Sequence, residues 1–259
     1  MRFLRCLSPA GPALPWLVGI DFTIQTVTHP LLDVMLDAAR GKFPAVDGAV
    51  TFLPELPGGN RAIVALTGHA FIAADLVASD FGDIKLDGFG ATLAPAAVVR
   101  VAGDGEIGVN DVTLVATGTG RGTKSRVTTA WDDHPRVRHA RRLRTNVTVY
   151  GDDGGFFTLS NGLAGRMEMS IEITDTGTST GNGRRLIRDA VGGVPDGQYL
   201  FAAVSPGNAR SLRSFLAAGF LPIGSEVVID RSSLRSTTAN SGVSTEPNSD
   251  AEPEPAPRF

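Results

Sequence analysis

Cysteine is nearly absent from this 259-residue chain, with Cys6 its single example. One thiol excludes an internal disulfide and any zinc cluster built on cysteines, and it fits a reducing compartment. Cytoplasm is therefore the expected location. Long apolar runs are missing too: no stretch approaches the roughly 18 residues needed to cross a bilayer as a helix. At the N-terminus Arg2 and Arg5 precede apolar residues, but Pro9, Pro12 and Pro15 interrupt them and no small-x-small cleavage site follows. That pattern predicts an irregular lead-in rather than a signal peptide. Strong charge of one sign is also lacking. With 24 Lys and Arg against 27 Asp and Glu, the net charge is -3, so nothing draws the chain globally to nucleic acid or an anionic membrane. The four histidines and one cysteine show no metal-ligand spacing, and no metal is expected.

What is present is ample apolar sequence in short patterned segments, enough for a sizeable core. Leucines and a methionine at helical spacing after Pro30, with Gly41 as a stop, predict a helix over 30–40. Ala49 to Leu53 reads as a strand. Arg61 to Asp75 holds two apolar runs split by Thr67-Gly68, a hairpin signal. Pro95 to Val101 reads as a helix and Glu106 to Ala116 as one strand rich in Val, Ile and Thr. The following TGTGRGTKS segment reads as a flexible loop. Asp133 to Arg144 has an acidic cap, an early proline and a basic last turn, the signature of a helix. Val147 to Tyr150 and Phe156 to Leu159 form a second hairpin through Gly151–Gly155, and Met167 to Ile173 is a further strand. Past Asp230 the sequence turns to Ser, Thr, Asn, Pro and Glu, too polar for burial to offset ordering entropy, so a disordered tail is expected over 231–259.

Two segments in the second half carry the chemical signal. The loop from Thr174 to Gly183 joins a strand to the helical pattern RRLIRDAV. Its glycines would free backbone N–H groups to face outward beside a helix N-terminus, the ingredients of a phosphate cradle. Gly181 and Gly183 permit close approach, and Arg184 and Arg185 add positive charge at the rim. The second segment, Leu200 to Phe220, is an apolar strand that breaks at Ser205-Pro206-Gly207 and restarts at Asn208 as a helix closed by Gly219-Phe220. Taken alone, Asn208 is an N-cap, Gly219 a helix stop and Phe220 core.

Taken together, residues from about Glu106 to Ile229 resemble the GCN5-related N-acetyltransferase (GNAT) family. The loop Thr178-Ser179-Thr180-Gly181-Asn182-Gly183 is similar to that family's pyrophosphate-binding loop, with Thr178 at the place of the usual Arg or Gln. The series Asn208, Ser211, Phe215, Gly219 and Phe220 is similar to its following helix. The resemblance implies an α/β fold, with a mixed, mainly antiparallel central sheet flanked by helices over 105–230 and an N-terminal α+β extension over 1–104. It implies acetyl-CoA as acyl donor and an unidentified amine of a small molecule or protein as acceptor. Main-chain groups of Ile171 and Ile173 would pair with the pantetheine arm. Ser179, Thr180, Gly181, Asn182, Gly183 and Arg184 would hold the pyrophosphate, and Asn208 and Ser211 would line the site. Phe215 stands where the family often has a proton-donating Tyr, so the departing thiolate would draw its proton from Ser211, Ser214 or water.

The amine must lose a proton, and among the carboxylates Glu168, Glu172, Glu106 and Asp111, Glu168 is the one expected to act as base. A catalytically silent acyl-CoA-binding or protein-interaction module on the same fold is the alternative, and a homodimer is left open. A P-loop in TGTGRGTKS is set aside because Thr123 stands where glycine is needed before Lys124-Ser125. The arginines of RVRHARRLR lack the interleaved aromatics of a nucleic-acid surface, and neither nucleic acid nor membrane is an expected partner.

Overall fold

The computed structural model describes residues 28–174 and 181–232. In chain order the elements are α1 (Pro30–Ala39), β1 (Val50–Leu53), β2 (Arg61–Leu66), β3 (His69–Ala73), α2 (Pro95–Ala102), β4 (Glu106–Ile107), β5 (Asp111–Thr117), β6 (Arg126–Val127), α3 (Pro135–Leu143), β7 (Thr145–Asp152), β8 (Gly155–Asn161), β9 (Met167–Ile173), α4 (Asn182–Gly193), β10 (Tyr199–Val204), α5 (Ala209–Ala217) and β11 (Leu221–Asp230). A short 3-10 turn at Leu163–Gly165 precedes β9.

Local chemistry explains most boundaries. α1, α2 and α3 each begin on a proline whose fixed φ suits the first helical turn and whose missing N–H costs nothing there. The α3 cap differs from expectation. Its capping residue is His134, whose Nδ1 accepts from Arg136 N–H at 3.2 Å, not the acidic Asp133. Between β2 and β3, Thr67 and Gly68 both take positive φ, 37° and 82°, the conformation of a tight two-residue hairpin turn. Gly68 is also crowded: a Cβ there would sit 2.6 Å from Val46 Cγ1. The β7–β8 hairpin is tighter than its glycine run suggests, since the strands extend to Asp152 and from Gly155. The single strand expected over 106–116 is two, β4 and β5, each paired separately to β11.

All strands join one mixed sheet in the order β1-β3-β2-β11-β5-β10-β9-β8-β7-β6, with β4 added beside β11. Only β1/β3 and β9/β10 run parallel; every other pairing is antiparallel. The N-terminal hairpin is part of this sheet, because β2 pairs with β11 from Arg61↔Ile229 to Ala65↔Ser225. Side chains alternate between faces along each strand. Leu114, Phe157, Met169, Leu200 and Ala202 bury against Leu186, Ile187 and Ala190 of α4 and Phe215 of α5. Their neighbours Val115 and Phe201 bury against Leu31, Met35 and Ala38 of α1. Phe156, adjacent to Phe157, packs instead with Val137 of α3. α4 and α5 thus cover one face of the central strands, and α1 and α3 the other.

Candidate functional site

The central sheet has a gap. β9 is laddered to β8 along its whole length, from Gly155↔Ile173 to Asn161↔Met167, and β10 to β5 from Tyr199↔Thr117 to Val204↔Val112. Toward each other these two parallel strands share one register pair, Phe201↔Glu168. Beyond it, main-chain groups on the facing edges of β9 and β10 are not taken up by a strand ladder and are free to pair with something extended. Ile171 and Ile173 lie in this part of β9, half-buried, with side chains on the α4–α5 side.

The start of α4 closes one end of the gap. Gly181 caps it in the left-handed region, φ 74° and ψ 5°, with no atom within 4 Å of where a Cβ would stand. A Cβ on Gly183 would lie 3.7 Å from Ser214 Oγ and 3.9 Å from Ile173 Cδ1, so the helix start, the end of β9 and α5 converge there. Asn208 caps α5, its Oδ1 accepting from Ser211 N–H at 3.1 Å. Ser214 donates its hydroxyl to Arg210 O at 2.9 Å. Phe215 is buried at 2% exposure, edge-to-face with Phe220 at 4.9 Å between centroids, so it belongs to the core.

Beside this point is a cleft of about 710 Å³, lined by the cap Gly181, by Arg184, Arg185, Arg188 and Asp189 of α4 and by the loop carrying Arg121, Gly122 and Lys124. The loop is fixed to α4. Asp189 accepts from Lys124 N–H at 2.6 Å and from Thr123 Oγ1 and Ser125 N–H at 2.8 Å each. Burial pushes the Asp189 carboxyl up, but these hydrogen bonds outweigh it and hold the group below its ordinary range. Arg185 is occupied by a two-bond fork to Asp152, at 2.6 and 2.9 Å, and Arg188 donates to Ala217 O at 3.1 Å. Among the described residues no carboxylate pairs with Arg121, Lys124 or Arg184, and all three are exposed. The cleft wall is therefore cationic.

Across the sheet, under α1 and α3, lies a buried ion cluster. Arg166, fully buried, forks onto Glu226 at 2.7 and 2.6 Å, donates from Nε to Glu168 Oε2 at 3.0 Å and sits 5.1 Å from the Phe201 ring centroid. Arg144 reaches Glu168 Oε1 at 2.7 Å, Leu163 N–H donates to Glu168 Oε2, and the Thr113 hydroxyl donates to Glu226 Oε2 at 2.6 Å. Burial pushes the Glu168 carboxyl up, yet the guanidiniums of Arg144 and Arg166 more than offset it and the group is held below the carboxylate range. Glu168, the residue expected to act as base, thus has both oxygens engaged in ion pairs. Asp111 stands at the cluster's edge, in register with Glu226. Burial, then the charges of Glu226 and Glu168, push it up to about 6, and its Oδ1 is buried with no hydrogen-bond partner.

Of the residues singled out in the sequence, Ile171, Ile173, Gly181, Asn182, Gly183 and Arg184 gather around the gap and the cleft, with Asn208 and Ser211 on the adjoining α5. Ser179 and Thr180 lie outside the described residues. Sequence reasoning missed Arg121, Lys124, Arg188 and Asp189. The signal was the glycine-rich TGTGRGTKS segment with its two cations, but nothing local says that it folds onto α4. Among the described residues no group of His, Cys, Asp and Glu is arranged to hold a metal ion, and no helix is long and apolar enough to cross a membrane.

No protein-family model matches the chain, and no curated protein matches it. Among solved structures it is similar to an acetyltransferase of the GNAT family from Colwellia psychrerythraea, at 8% identity and a TM-score of 0.31, over 49% of this chain and 58% of that one. The chain thus spans little more than half the length of the structure it matches. A likeness this distant adds no weight to a functional reading, which rests on the geometry above.

Proposed function

We propose that this chain is an acyl-CoA-dependent N-acyltransferase, taking its acyl group from acetyl-CoA. The observation that carries the proposal is the gap between β9 and β10 beside the glycine-opened start of α4. An extended, amide-bearing chain such as pantetheine pairs with free strand edges as a further strand would, and Ile171 and Ile173 offer the main-chain groups. A diphosphate suits the first amides of α4, where Gly181 and Gly183 leave room, Asn182 adds a main-chain N–H and Arg184 adds charge. Ser179 and Thr180 would extend that cradle, with Asn208 and Ser211 on the α5 wall.

The donor supplies a thioester carbonyl open to attack by an amine: the N–C bond forms, the C–S bond breaks, and the amine proton must pass to a base. Asp111 suits that role better than Glu168. It has an oxygen without a partner and an affinity for protons closer to neutrality, whereas Glu168 is committed to Arg144, Arg166 and the Leu163 N–H. With Phe215 in the core, the leaving thiolate takes its proton from water, a modest demand for a thiol of pKa about 8.5.

Titration with acetyl-CoA followed by thermal unfolding tests the reading. A ligand at a hundred times its Kd stabilises by about 2.7 kcal/mol, a shift of several degrees, and Gly181→Val should abolish it. An unchanged Tm at millimolar acetyl-CoA would sink the proposal. A second reading, a silent acyl-CoA-binding module, is favoured by the burial of Phe215 and the engagement of Glu168. It predicts binding with no thiol release across a panel of amines.

A further inference from the structure

The cationic cleft holds more positive charge than one diphosphate at the start of α4 would use, and the surplus comes from a separate segment. Arg121 and Lys124 stand on the loop that follows β5, across the cleft from Arg184. Two features show that this loop is held in shape. Thr119, Gly120 and Gly122 donate their N–H groups to Val191, Val194 and Gly192 at 3.2, 2.9 and 2.8 Å, tying it to the C-terminal end of α4 and the residue after it. Asp189 anchors its far end through Thr123, Lys124 and Ser125. Both oxygens of that carboxylate are spent on the loop, which leaves the Arg121 and Lys124 side chains unneutralised by it. Arg185 does not contribute, being forked onto Asp152.

Unpaired cations on two segments, Arg184 on α4 and the Arg121–Lys124 pair on the loop, call for a ligand with two separately placed phosphate groups. We infer that Arg121 and Lys124 form a second anion subsite that takes the ribose 3′-phosphate of the acyl donor, so that the protein selects 3′-phosphorylated carriers over their 3′-dephosphorylated forms. The inference rests on the acyl-CoA reading above and adds to it a specificity determinant. A loop already fixed before binding loses little freedom when the phosphate arrives, so its cations act at full strength.

Isothermal titration at fixed ionic strength with CoA, dephospho-CoA and adenosine 3′,5′-bisphosphate separates the two readings. CoA should bind tighter than dephospho-CoA by about tenfold or more, the size of a charge-assisted phosphate contact. Arg121→Ala with Lys124→Ala should bring CoA down to the dephospho-CoA level while leaving dephospho-CoA binding and the ligand-free Tm unchanged, both residues being exposed. Asp189→Asn, which frees the loop without touching a phosphate, should narrow the CoA preference in the same direction. Equal affinity of the wild-type protein for CoA and dephospho-CoA overturns the subsite and leaves the acyl-CoA reading standing. So does a double variant that weakens both ligands alike. Failure of all three probes to bind overturns both.

Discussion

Replacing Arg166 by methionine should be among the most damaging single changes in this protein. The side chain is fully buried, so the substitution fills a similar volume, and the consequence is electrostatic. Glu168 keeps a partner in Arg144, at 2.7 Å, but Glu226 loses both bonds of its fork and retains only the Thr113 hydroxyl. Breaking a buried ion pair by removing one member costs about 3–5 kcal/mol, because the other charge stays out of water without compensation. At roughly 2–4 °C per kcal/mol for a domain of this size, Tm should fall by about 6–20 °C. Urea unfolding followed by circular dichroism would report the loss as a lower midpoint at unchanged slope. The pH dependence adds a second test. Glu168 is held below its ordinary value of 4.5, so its stabilisation is fully present above that value and lost as pH falls through the lowered one. The gap between wild type and variant should therefore be widest near neutrality and narrow in acid. Replacing Glu226 by Gln in the same variant should restore part of the stability by removing the stranded charge. A loss below about 1 kcal/mol at pH 7.5 would refute the reasoning.

Asp111 makes the opposite prediction. Its carboxyl is pushed up from 3.8 to about 6, so the folded state holds the proton more tightly and stability declines as pH rises from about 4 to 6. Asp111→Asn should therefore stabilise by about 1 kcal/mol at pH 7.5, the shift being discounted for partial exposure, and change nothing at pH 4. Urea midpoints at the two pH values decide it, and the same variant should lose acyl transfer if Asp111 takes the amine proton. At Gly183 an added methyl meets only ordinary contacts. Gly183→Ala should then raise stability by up to about 1 kcal/mol while shrinking the Tm shift from acetyl-CoA, two effects of opposite sign in one thermal melt. Phe215→Tyr should cost about 1–3 kcal/mol, because the core offers its hydroxyl no evident partner, and should bring no gain in thiol release.

The sequence by itself determined the local elements. Proline at a helix start, a Thr-Gly pair between apolar runs and alternation of period two act over a few residues, and the observed helices and hairpins follow them closely. The strand β9 and the helix α4 opened by Gly181 were legible for the same reason, as was the mixed, mainly antiparallel α/β class. Only the tertiary structure decided which strands lie together. β5 enters between β10 and β11 because its two faces, Leu114 on one side and Val115 on the other, complete cores beneath α4 and α1, and no local pattern carries that. The same holds for charge. Glu168 reads in sequence as a base candidate and Arg166 and Glu226 carry no local signal, and burial makes the three one cluster because Glu226, 60 positions beyond Arg166, is delivered by the register of β11 on β5. The loop after β5 reads as a flexible connector until Asp189 binds it. Periodicity fixes what a segment is, whereas pairing and burial between distant segments fix what stands beside it, and the candidate site is made of such neighbours.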